Sequence, residues 1–151
     1  MTENALTRLE RELIGVLKQE YSFYQSLYIL LDKQRDLLKY DKDEHLLDLY
    51  AEIERCQKRI NASEEKITEI KNRDPRQFKL ASVNPEIKRL VTSIVTLVKK
   101  NVALVESNEE YLRGRHQRIR VELEELKHSH KILQYLRDTE PSSPQFVDGR
   151  K

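Results

Sequence analysis

The sequence predicts an all-α protein: an elongated antiparallel three-helix bundle or coiled coil with a long, overhanging C-terminal helix. Three observations carry that expectation. From Pro85 to Arg137 there is no further proline, only one glycine (Gly114), and an apolar residue at every seventh position: Val91, Val98, Val105, Leu112, Ile119, Leu126 and Leu133. Such a repeat describes a seam along one helix, and at about 1.5 Å per residue that helix would be roughly 80 Å long. Second, the chain of 151 residues is 38% hydrophobic and 36% charged, which is poor material for a thick globular core but enough for helices packed side by side. Third, two earlier stretches repeat apolar residues at three- and four-residue spacing, the mark of amphipathic helices.

The first helix is expected over about 4–39, where Leu6, Leu9, Leu13, Val16, Phe23, Leu27, Leu30 and Leu37 form the stripe and Thr2 or Asn4 caps its start. Leu17, Tyr24, Leu31 and Leu38 widen that stripe, so this helix should touch two neighbours. Asp41 followed by Glu44 has the spacing of a capping box and places the second helix over about 43–72. Its seam is Leu46, Leu49, Ile53, Cys56, Ile60, Ser63, Ile67 and Ile70. Periodicity then fails over 73–84, a linker in which Asp74-Pro75 favours extended or turn geometry and Phe78 and Leu80 are placed to pin the loop to the bundle end. Asn84-Pro85, a capping side chain followed by proline at the first helical position, restarts helix over about 85–137. The domain is therefore expected to span 1–137, with 138–151 reading as a disordered tail.

Running back along the third helix, the shorter second one covers it only to about Leu112. Up to that point the third helix carries a broad apolar face, Ile87, Leu90, Ile94, Val95, Leu97, Val102 and Leu104 beside the heptad line, as a core helix would. Beyond it the flanking positions become Arg115, Arg118, Glu122 and Glu125. Leu112, Ile119, Leu123, Leu126, Ile132, Leu133 and Leu136 then form a stripe with no partner in the chain, which predicts a binding surface for another helix. Gly114 at the junction weakens the helix there. The stripe also admits a rival use: two copies pairing as a coiled-coil homodimer, with Asn101 and Asn108 setting the register.

Other chemistry is not encoded in recognisable form. The 28 basic and 26 acidic residues nearly cancel, and the basic run Arg113 to Arg120 spreads around the helix without aromatics for base stacking, so nucleic acid is not an expected partner. No apolar run approaches the roughly 20 residues of a membrane span. Nothing at the N-terminus reads as a signal peptide, and the single cysteine, Cys56, has no disulfide partner, which together point to the cytoplasm. His128 and His130 lie two apart and would project about 200° apart on a helix, which does not make a metal pair. With no phosphate loop and no carboxylate isolated in an apolar pocket, neither a cofactor nor an enzymatic activity is expected. Tyr21, Phe23, Tyr24 and Tyr28 form an aromatic band suited to packing between helices.

The order of these segments resembles the FlgN-like flagellar export chaperones. The resemblance runs over about residues 6–137 and is one of helix order, length and patterned composition. It is carried by Leu13-Ile14-Gly15-Val16-Leu17, by Glu20-Tyr21-Ser22-Phe23-Tyr24-Gln25-Ser26-Leu27, by Leu30 to Leu38, and by the Asp41–Asp43 break before Leu46-Leu47. Val98-Lys99-Lys100-Asn101-Val102-Ala103-Leu104-Val105 stands where that family has an asparagine-containing hydrophobic stretch. The resemblance implies a bacterial cytoplasmic chaperone that holds the C-terminal helices of hook-filament junction (hook-associated) proteins and delivers them to the type III export apparatus. The stripe from Leu112 to Leu136 would be the client site. A tyrosine late in the chain, here Tyr135, would contact the export gate.

Overall fold

The computed structural model describes residues 4–138; side chains are described to residue 128, apart from those of Ile119, Glu122 and Leu126. Four α-helices follow one another: α1 (Ala5–Lys39), α2 (Leu46–Arg73), α3 (Pro75–Ala81) and α4 (Pro85–Asp138), with a 3-10 turn at Asp43–His45. The fold is all-α, and among the described residues there is no strand. The chain divides into two compact units, Met1–Tyr111 and Leu112–Lys151.

In the first unit the helices run up, down and up. Asn4 caps α1, its Oδ1 accepting from the Thr7 backbone N–H at 2.7 Å. Antiparallel packing of α2 on α1 is recorded by cross-contacts from end to end. The Arg73 guanidinium donates to Glu12 at 2.7 Å, the Tyr24 hydroxyl to Glu64 at 3.1 Å, and Cys56 Sγ to the Phe23 carbonyl at 3.2 Å. The first part of α4 lies parallel to α1: Asn84 Nδ2 donates to Glu10 at 2.7 Å, Asn101 Nδ2 to the Tyr24 carbonyl, and Asn108 Nδ2 to the Leu31 carbonyl. The last two pairs share a separation of 77 residues, so the register is kept from one heptad to the next.

Apolar burial is organised in two layers. Leu9, Leu13, Leu17, Ile70, Ala81 and Ile87 close the end near α3, with Phe78, Leu90 and Ile94 packed on them. Leu27, Leu31, Cys56 and Ile60 fill the middle, flanked by Phe23, Tyr24, Ile53 and Leu104. Ile60 is fully buried, and at roughly 25 cal/mol per Å² such a side chain contributes about 2 kcal/mol.

Three expectations need correction. The linker at 73–84 contains the two-turn helix α3, started by Asp74, whose side chain accepts from the Gln77 N–H at 3.1 Å, with Pro75 at the first helical position. This is the same cap-then-proline order as Asn84-Pro85, where Asn84 Oδ1 accepts from the Glu86 N–H at 2.9 Å. Phe78 does pin the segment to the core, but Leu80 is exposed.

Asp41 and Glu44 form no capping box. Asp41 sits in the left-handed region (φ 55°) as the residue that terminates α1. The N–H of Asp41 bonds to the Leu38 carbonyl and that of Lys42 to Leu37, the paired bonds of a Schellman motif. The 3-10 turn before α2 has no side-chain cap.

The seam of α4 also differs from the expected one. Its buried line in the first unit is Ile87, Ile94, Asn101 and Asn108, with Leu90, Leu97 and Leu104 beside it, all buried or half-buried. Val91 and Val105, on the heptad line that the sequence favours, are exposed, as are Val95 and Val102. Two asparagines occupy the true seam, and their polarity hides it from an apolar count.

Candidate functional site: an uncovered heptad face on α4

The second seam of α4 follows from spacing. Val91, Val95, Val98, Val102 and Val105 are separated by four, three, four and three residues, the a/d spacing of a coiled coil. On a helix this line lies about 90° around from Ile87, Leu90 and Ile94, so burying one face leaves the other uncovered. Val91, Val95, Val102 and Val105 are 43%, 46%, 50% and 39% exposed, respectively. Periodicity alone places these valines in the core, whereas their 4-3-4-3 spacing is the signal that α4 carries two seams. At the α3 end, Val91 borders an apolar cleft of about 400 Å³ lined also by Leu13, Leu17, Ile67, Phe78 and Ile87.

The positions expected to form a client stripe fall in the second unit, on a helix that continues to Asp138. Leu112 is half-buried and Leu123 is 52% exposed. Arg113, Arg120 and Lys127 are all exposed and lie seven residues apart, each one position after Leu112, Ile119 and Leu126 in sequence. The side chains of Ile119, Leu126, Ile132, Leu133, Tyr135 and Leu136 lie outside the described residues, as do residues 139–151.

The polar groups buried in the bundle are structural in their bonding. Asn108 Nδ2 is shared between the Leu31 carbonyl at 3.1 Å and Gln34 Oε1 at 2.7 Å. Glu20 is buried, and burial raises its pKa, with Glu64 raising it further and the Ser63 hydroxyl pulling the other way. Burial, with Glu64 beside it, also pushes the Tyr24 phenol up to about 12. Burial raises the Cys56 thiol, and Arg59 opposes this; a thiol held protonated and out of solvent is a poor nucleophile. Among the described residues no three histidine, cysteine, aspartate or glutamate side chains are grouped as metal ligands, and no helix is long and apolar enough to cross a membrane. The chemistry this arrangement offers is association through an exposed apolar face.

Comparison with protein-family models, with curated proteins and with solved structures gives no match.

Proposed function

We propose that this protein is a cytoplasmic, non-enzymatic chaperone of flagellar type III export, holding the C-terminal helices of hook-filament junction proteins on the α4 face from Leu112 to Leu136. The observation that carries the reading is Leu123, a large apolar side chain left about half exposed on a helix of the second unit. An amphipathic client helix laid there would bury both apolar faces, and a client end without fixed structure would become ordered on docking. Tyr135 is the proposed contact to an export-gate component and is assigned no part in client binding.

Calorimetry of the full chain with the C-terminal segment of a junction protein tests the site. Leu123→Glu combined with Leu126→Glu should weaken binding at least about tenfold, since each places a charge in an apolar contact. Unchanged affinity with retained helical circular dichroism would remove the proposed site. A second reading, pairing of two copies through Val91, Val95, Val102 and Val105, rests on the exposure of those valines. Sedimentation separates the two, because a monomer at high concentration rules out self-pairing.

A further inference from the structure

The stripe in the second unit has an edge of one charge. In a heptad helix the residue directly after the apolar d position flanks the contact and faces the partner's own flanking residues. Here that edge is Arg113, Arg120 and Lys127, three cations at successive heptads, all exposed. The opposite edge, Arg115 and Glu122, carries both signs. Resting on the client-helix reading above, we infer that the occupant is an amphipathic helix of another protein with acidic residues along the edge that meets Arg113, Arg120 and Lys127.

Charge also argues against a second copy of this chain as the occupant. In an antiparallel pair like flanking positions meet, which sets this basic edge against itself. In a parallel pair the basic edge meets positions 115 and 122 of the other copy, an arginine and a glutamate in sequence, so it finds no matching acidic edge. Self-pairing gains nothing from the edge, whereas an acidic helix gains at each of three heptads and is also steered to the site in solution.

The test uses the full chain and two synthetic helical peptides with identical leucine heptads, one flanked by glutamate and the other by lysine. Fluorescence anisotropy at about 50 mM salt should show the glutamate peptide binding at least about tenfold more tightly. At about 500 mM salt the difference should shrink to about twofold or less, because exposed pairs are screened. The triple variant Arg113→Glu, Arg120→Glu, Lys127→Glu should reverse the preference with unchanged circular dichroism. Equal binding of both peptides at low salt would overturn the charge inference while leaving helix docking in place. Binding of neither would overturn the docking reading as well. A dimer of the parent chain in sedimentation that Leu123→Glu dissociates would identify a second copy as the occupant and overturn the inference.

Discussion

Asn108 donates from Nδ2 to the Leu31 carbonyl at 3.1 Å, and this one bond, repeated a heptad earlier by Asn101 on Tyr24, fixes the register of α4 against α1. Both asparagines are buried, and the Oδ1 of each is without a partner in the structure. A polar residue in an apolar seam specifies alignment at a cost in stability. Asn101→Leu should therefore raise the unfolding free energy by about 1 kcal/mol, read from the urea midpoint at constant m. A loss of that size or larger would mean that the Asn101 bond contributes more than its desolvation costs.

The corrected seam makes opposite demands on two apolar residues. Ile60 is completely buried, so Ile60→Ala should cost about 2–5 kcal/mol. Val102, half exposed, should tolerate alanine within about 0.5 kcal/mol. Chemical denaturation of the two variants checks this, and a large loss at Val102 would restore the valine line to the core.

Glu20 makes stability depend on pH. Its folded-state pKa is raised above the ordinary 4.5, mainly by burial and then by Glu64. Below 4.5 the carboxyl is protonated whether folded or not. As pH rises through the interval up to the raised value, the unfolded chain releases the proton that the native state keeps, and stability falls. Glu20→Gln should accordingly match the parent protein under acid conditions and exceed it at neutral pH in thermal unfolding. Equal Tm values at neutral pH would contradict the assignment.

Gly114 lies within α4, and a Cβ built on it meets nothing within 4 Å. Gly114→Ala should stabilise the helix locally by about 1 kcal/mol, seen as slower amide hydrogen exchange around the substitution. Client affinity should hold or improve. A fall in affinity would show that bending at this glycine is used in binding.

The helices were legible because amphipathic spacing and caps are local signals. The stripe of α1 and the Asn84-Pro85 start of α4 needed no knowledge of the neighbours. What was not legible depends on contacts between distant segments. Asp41-Lys42-Asp43-Glu44 satisfies both a capping box and a helix stop, and the Leu37 and Leu38 carbonyls decide for the stop. Asp74-Pro75 and Asn84-Pro85 share the cap-then-proline order, and only the length of periodicity that follows distinguishes them, so the short α3 stays hidden. The choice between two seams on α4 was hidden most deeply. Composition favours the valines, whereas the carbonyls of Tyr24 and Leu31 favour the asparagines. The valines left uncovered by that choice are visible in their spacing; what no apolar count reveals is that the asparagine line is the buried one.

Calorimetric titration of this chain with the C-terminal segment of a hook-filament junction protein tests the proposed function most directly. The proposal predicts saturable binding of one segment per chain that falls at least about tenfold in the Leu123→Glu, Leu126→Glu variant. Absence of binding to the parent protein, or equal binding to the variant with its helices intact, would contradict it.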